Sequence, residues 1–363
     1  MPPLPIDITP DSALHELIEF NRKIVRGMEV LGGIKDADTI VGASPKQEIY
    51  REDGVTLYRY TPIASQLHPV PLLVSYALVN RPYMVDLQQD RSLVHGLLTR
   101  GIDVYLIDWG YPGRADRWLT IDDYVNGYIH NCVDAVLKRH KLEQINVLGI
   151  CQGGTFSLCY AALHPERIKN FITMVTPVDF NVPAGLLNTW AGCNGDADAL
   201  DADLMVQALG NIPGDFMNFG FLLLRPFALG LGKYTDLVDI LDDREKLVNF
   251  LRMERWIFDS PDQAGEAWRQ FIKDFYQHNK LIKGEVELGG ARVDLHRISM
   301  PVLNIYGEED TLVPPASTTA LKDYVGSSDY TAKSFPVGHI GMYVSGKVQR
   351  DLPPLIADWL KAR

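Results

Sequence analysis

Several things are scarce or missing in this 363-residue chain. Basic residues are in deficit: 35 Lys and Arg stand against 46 Asp and Glu, a formal net charge of −11. A nucleic-acid binder needs a basic surface to neutralise phosphates, so that class is disfavoured. An anionic small substrate is not excluded, because local potential matters more than the total. Cysteine is sparse. Cys132, Cys151, Cys159 and Cys193 fit no common zinc spacing, so no metal site is expected. No uninterrupted apolar run approaches the roughly 20 residues of a membrane span. The N-terminal Met1-Pro2-Pro3-Leu4-Pro5 reads as a loop and not as a basic–apolar–small leader. Internal repeats and low-complexity stretches are missing too. Together these absences lead to the expectation of a cytoplasmic protein with reduced thiols.

What is present is an ordinary globular composition, 46% hydrophobic and 22% charged, in a chain long enough for one large core or a core plus an insertion. Apolar residues at helical spacing between 12 and 31 (Leu14, Leu17, Ile18, Ile24, Met28, Leu31) predict an N-terminal helix, within an arm of residues 1–45. Short β-rich runs follow at 47–51 and 55–60. The pattern then alternates. Apolar runs at 71–76, 104–107, 145–150, 171–175, 302–306 and 330–335 read as strands. Helices are expected at 86–99, from Thr120 to about His140, from Thr155 to Leu163, from Ala316, and from about Pro354 to Lys361. Continuous apolar strands alternating with helices predict an α/β fold with a mainly parallel sheet covered by helices on both faces. The alternation stops near Pro177. Residues 181–295 are rich in Leu, Phe, Trp and Asp, with few strand-like runs, and are expected to form an inserted, mostly helical cap. The core would then comprise 1–180 and 296–363.

The decisive stretch is Ile145-Asn146-Val147-Leu148-Gly149-Ile150-Cys151-Gln152-Gly153-Gly154. An apolar strand ending in Gly-x-Cys-x-Gly and turning at once into a helix is the nucleophile elbow of the α/β-hydrolase fold, with cysteine where serine is usual. In this fold the acid and the histidine follow the nucleophile in that order. After the strand at 302–306 come Glu308, Glu309 and Asp310, and after the strand at 330–335 comes His339. Asp310 is preferred over the two glutamates because it closely precedes the ordered-looking Leu312-Val313-Pro314-Pro315. His339 takes the Cys151 proton, and Asp310 holds the imidazole in the right tautomer. Backbone N–H groups must stabilise the oxyanion. One is assigned to Gln152, and the other to the loop after the strand at 71–76, at Val79 or its neighbour Asn80. Cys159 and Cys132 read as small core residues, and Cys193 as a structural residue of the cap. Asp108-Trp109 reads as a structural hydrogen-bonding pair. A cysteine nucleophile suits acyl transfer between thiols, since thioester exchange is nearly isoenergetic. A serine would form an oxoester and lose that driving force.

Gly149-Ile150-Cys151-Gln152-Gly153-Gly154 resembles the modified lipase box of the polyhydroxyalkanoate synthases. Further segments are similar to the same family: Tyr76–Tyr83, Leu106–Pro112, Met174–Phe180, Trp256–Asp262 and Gly338–Gly341. The short length is similar to the class III catalytic subunit. The resemblance implies that (R)-3-hydroxyacyl-CoA, chiefly 3-hydroxybutyryl-CoA, acylates Cys151 and releases CoA, and that the 3-hydroxyl of another unit then attacks to lengthen a polyester. It implies His339 as general base, with Asp310 either orienting it or helping to activate the hydroxyl. CoA is a leaving group, and no cofactor is implied. A homodimer, a complex with a separate helical subunit, and residence at the surface of polymer granules are implied as well. Two other readings of the same residues stand beside it. One is a Cys-nucleophile α/β-hydrolase (an esterase, thioesterase or depolymerase-like enzyme), the other a non-catalytic granule-binding protein.

Overall fold

The computed structural model describes residues 10–182, 185–192, 200–223 and 233–363. Cys193 lies outside them. The chain divides into two compact units, residues 42–218 with 259–363, and residues 1–41 with 219–258.

The larger unit is built on an eight-stranded sheet. Its strands are β1 (Lys46–Glu52), β2 (Val55–Tyr60), β3 (Leu72–Ser75), β6 (Val104–Asp108), β7 (Ile145–Ile150), β8 (Ile168–Met174), β11 (Val302–Gly307) and β12 (Tyr330–Phe335). The order across the sheet is β1-β2-β6-β3-β7-β8-β11-β12. The first two strands are antiparallel, and every pairing from β6 onward is parallel. β3, β6 and β7 are buried along their whole length, as a sheet covered on both faces requires. Two small antiparallel ladders stand apart: β4 (Asp86–Gln88) with β5 (Arg91–Ser92), and β9 (Glu287–Leu288) with β10 (Ala291–Arg292). Between β8 and β11 the described residues are otherwise helical or irregular. Among the described residues, no helix is long and apolar enough to cross a membrane.

The largest departures from the expected helix boundaries fall at two places. The helix expected over 86–99 is reduced to Leu93–Leu98, because residues 86–88 are extended. The cause is Asp86. Its buried carboxylate accepts from Ser44 N (2.9 Å), Ser44 Oγ (2.8 Å) and Ser92 Oγ (2.6 Å). Ser92 in turn caps the shortened helix by accepting from His95 N. The last helix begins at Gly346, not near Pro354, and carries Pro353 and Pro354 inside it. It packs closely on the helix Leu93–Leu98: a Cβ on Gly96 would come within 2.6 Å of Pro353.

The smaller unit holds the expected N-terminal helix, Pro10–Gly32, together with the helices Lys233–Ile240 and Arg244–Phe258. Gly27 lets the N-terminal helix pack closely, since a Cβ there would sit 2.5 Å from Leu241.

Candidate active site

The parallel strands place every candidate residue at one edge of the sheet. Cys151 follows β7, Asp310 follows β11, His339 follows β12, and Val79 lies in the loop after β3. This carboxyl edge is where open α/β sheets carry their sites.

Cys151 sits between β7 and the elbow helix Gln152–Leu163, with φ 53° and ψ −128°. For a residue with a Cβ this is a strained conformation, and it persists only where the surroundings fix it. They do. Cys151 N donates to Met174 O (2.9 Å), while Cys151 O accepts from Gly154 N (2.9 Å) and Thr155 N (3.3 Å). The turn tolerates no side chain at Gly153 or Gly154. A Cβ on Gly153 would lie 2.1 Å from Tyr76 O and 2.6 Å from Ser75 O, and one on Gly154 would lie 1.9 Å from Thr176 Oγ1. Close approach of neighbouring chain is thus what puts glycine in the elbow. Cys151 itself is half-buried.

β11 and β12 pair in parallel up to Gly307 and Phe335. Their outgoing loops are then tied together by Glu308 N to Phe335 O (2.8 Å) and Glu309 N to Val337 O (3.1 Å). This brings His339 Nδ1 to 2.7 Å from Asp310 Oδ2. The other carboxylate oxygen, Oδ1, accepts from Leu312 N (2.9 Å) and Val313 N (2.8 Å). Glu308 instead accepts from Ser334 Oγ at the surface. Burial alone would lower the His339 pKa. The charges of Asp310 and then Cys151, and hydrogen bonds to both side chains, outweigh it and raise the imidazole to about 10. Asp310 thus holds His339 Nδ1, and the Cys151 sulfur lies near enough to the imidazole to raise its pKa, an arrangement suited to proton transfer from a thiol to an imidazole.

The two expected oxyanion donors also lie at this edge. Gln152 is the first residue of the elbow helix, so its N–H has no intrahelical acceptor. Neither it nor the Val79 N–H finds a backbone acceptor among the described residues. The Leu78 N–H is occupied by Gln152 Oε1 (3.2 Å). Asn80 adopts φ 58°, and its side chain donates to Ser260 Oγ (2.5 Å).

Comparisons with known proteins point the same way. A family profile described as alpha/beta hydrolase fold matches residues 81–345. A second, described as the N-terminus of poly-beta-hydroxybutyrate polymerase (PhaC), matches residues 37–97. The chain is 61% identical to the poly(3-hydroxyalkanoate) polymerase subunit PhaC of a Synechocystis species over 96% of this chain and 93% of that protein. It is 55% identical to the subunit of the same name from Allochromatium vinosum over 99% of each. The chain belongs to this family of PhaC polymerase subunits. Among solved structures, a hydrolase from Pseudomonas aeruginosa is similar at TM-score 0.54 and 17% identity, covering 87% of this chain and 98% of that one, a likeness of fold alone.

Around the site of this family member stand residues the sequence reading did not single out. The rings of Tyr76 and Tyr343 meet edge to face with centroids 6.1 Å apart, and Tyr343 lies 6.1 Å from the His339 ring. Tyr276 packs among Phe180 and Phe271. Burial first, and the negative charge available to Cys151 second, push the phenols of Tyr76 and Tyr276 up. The one sequence signal was Tyr343, one helical turn beyond His339. Asp108 and Trp109 brace the edge. Asp108 accepts from Arg81 (2.8 Å) and from Gly110 N (3.0 Å), and Trp109 Nε1 donates to Tyr76 O (2.8 Å). Cys159 is fully buried, and burial pushes its thiol up to about 12, so it is a packed residue and not a nucleophile. Among the described residues no cluster of His, Cys, Asp and Glu is suited to a metal.

Proposed function

We propose that this chain polymerises (R)-3-hydroxyacyl-CoA, chiefly 3-hydroxybutyryl-CoA, into polyhydroxyalkanoate through a thioester on Cys151. The observation that carries the reading is the Cys151–His339–Asp310 line on a nucleophile elbow, in a chain 61% identical to a polymerase subunit. His339 removes the Cys151 proton, with Asp310 stabilising the imidazolium. The thiolate attacks the substrate carbonyl, and the N–H groups of Gln152 and Val79 receive the oxyanion. The C–S bond to CoA breaks, and the CoA thiolate takes the proton from His339. His339 then accepts the proton of a 3-hydroxyl from another unit as that oxygen attacks the Cys151 thioester. Collapse forms an ester, releases the Cys151 sulfur and lengthens the chain by one unit. No cofactor enters these steps.

Residues 181–295 are proposed as the cap through which substrate enters and polymer leaves. A homodimer, a complex with a separate helical subunit, and work at the surface of polymer granules in the cytoplasm complete the proposal. The test is incubation with (R)-3-hydroxybutyryl-CoA, with and without a co-expressed partner subunit. CoA release with rising turbidity is expected, and its loss in Cys151→Ala. Soluble 3-hydroxybutyrate without polymer would make the protein a hydrolase. CoA release that survives Cys151→Ala would remove the thioester from the mechanism.

A further inference from the structure

We infer that Gln263 is a positioning residue for the oxyanion hole, acting through the peptide between Leu78 and Val79; this rests on the acyl-transfer reading above. The carbonyl of Leu78 and the N–H of Val79 belong to one rigid unit and point to opposite sides of it. Whatever holds that carbonyl therefore sets the direction of that N–H. Gln263, itself only 2% exposed, donates from Nε2 to Leu78 O at 2.9 Å. The next peptide upstream is held from the other side, where Leu78 N donates to Gln152 Oε1. The loop that presents the Val79 N–H is thus gripped by two glutamines. One stands next to the nucleophile, and the other lies far away in sequence.

Gln263 is well placed to be rigid. Its backbone forms an antiparallel bridge with Ile212, Ile212 N to Gln263 O (3.0 Å) and Gln263 N to Ile212 O (2.8 Å), so its side chain projects from a fixed base. Ser260, three residues earlier, receives the Asn80 side chain and donates onward to Asn218 Oδ1 (2.9 Å). The stretch Ser260–Gln263 therefore braces both ends of the Leu78–Asn80 segment. A carbonyl that accepts a hydrogen bond also polarises its peptide, which makes the linked N–H a better donor.

The experiment uses Gln263→Met, which keeps length and volume but removes the donor, with Ser260→Ala as a milder second variant on the same segment. Two reactions of Cys151 are compared in the full-length protein. Acylation passes through an oxyanion, whereas alkylation by iodoacetamide does not. Acylation is read as CoA release from (R)-3-hydroxybutyryl-CoA, and also with p-nitrophenyl butyrate, which forms the same oxyanion whatever the natural acyl acceptor. Gln263→Met is expected to lower the acylation kcat by about 10- to 100-fold, the cost of displacing a catalytic group by a fraction of an ångström to an ångström. KM and the alkylation rate should stay near wild type, and Ser260→Ala should show a smaller loss of the same kind. Equal losses in acylation and alkylation would mean general distortion of the elbow and would overturn the inference. So would unchanged acylation in both variants. Wild-type protein that accepts p-nitrophenyl butyrate but not the CoA thioester would instead overturn the polymerase reading and leave the Gln263 comparison intact.

Discussion

Replacing Asp310 by asparagine tests the site at its most constrained point. The two side chains have the same shape, and the structure dictates which way the amide must face. Asp310 Oδ1 accepts two backbone N–H groups, from Leu312 and Val313. An amide nitrogen cannot replace it there without leaving both donors buried and unsatisfied, at roughly 1–3 kcal/mol each. In Asp310→Asn the amide oxygen is thereby held at the Oδ1 position, and the NH2 group is turned toward His339 Nδ1. That nitrogen must then accept, which puts the imidazole proton on Nε2, facing Cys151. The base is blocked from taking the thiol proton. Removing the Asp310 charge also removes the largest influence that opposes the effect of burial, so the imidazole pKa falls from its raised value. Such a tautomer reversal costs about 10⁴ in kcat in a serine-protease triad, or roughly 5.5 kcal/mol. A loss of about three to four orders of magnitude in CoA release at pH 7 is expected here. A thiol, unlike a serine hydroxyl, ionises unaided near pH 8.5. The deficit should therefore narrow as pH rises above about 8. The assay is CoA release with saturating (R)-3-hydroxybutyryl-CoA from pH 6 to 10, with circular dichroism to verify the fold. Activity within tenfold of wild type at pH 7 would refute the orienting role of Asp310. A deficit of constant size across the pH range would refute the tautomer argument.

Three other outcomes follow from the same geometry. Gly153→Ala drives a Cβ into the backbone oxygens of Tyr76 and Ser75 and should destabilise by about 3 kcal/mol, the upper end of over-packing costs, whereas Gly220→Ala, in a helix and with no atom of the described residues near the new Cβ, should be neutral or stabilising by up to about 1 kcal/mol; urea midpoints decide. Iodoacetamide at pH 8 should label Cys151 and spare Cys132 and Cys159, whose thiols burial pushes upward, and peptide mapping that finds Cys159 labelled first would contradict the assignment of nucleophile. The His339 pKa is raised in the folded state, so its stabilisation is fully present below about pH 6.5, the unfolded value, and is lost as pH rises toward about 10. The stability gap between wild type and His339→Gln should shrink over that window, and a gap that widens with pH would refute the sign.

What was legible in the sequence was what short-range physics controls. The elbow could be read because three glycines and a strand-to-helix switch are enforced by contacts within a few residues or across one neighbouring strand. The placement of Cys151, Asp310 and His339 at one edge could be read because each follows a strand, and strand order fixes the edge. Helix boundaries were harder. The apolar spacing at 86–99 suits a helix, but Asp86 is captured by Ser44, more than forty positions earlier, and a local pattern carries no trace of that partner. A helix start was expected near Pro354, yet the helix begins at Gly346 and runs through Pro353 and Pro354. The hold of Gln263 on Leu78 was equally invisible, since a glutamine outside any regular element has no local signature and its partner is a backbone carbonyl.

The elbow, the triad and the backbone donors would serve a serine hydrolase as well, so they do not by themselves select polymer over free acid. Selection requires that the acyl-enzyme wait for a hydroxyl while water stays out. The surroundings of Cys151 suit that requirement. The His339 side chain is 10% exposed and that of Asp310 not at all. The phenols near the thiol, Tyr76, Tyr276 and Tyr343, are buried, and each feels the Cys151 charge. Buried aromatic bodies disfavour water near the thiol, and a phenol, unlike a carboxylate, is a poor base for activating it. A thioester in such a space keeps its transfer potential until an alcohol reaches it. An oxoester on serine there would be as well shielded but closer in energy to the product ester. Acyl transfer to a chain end needs both a driving force, which the proposed Cys151 thioester would supply, and a delay, which buried tyrosines beside it would favour.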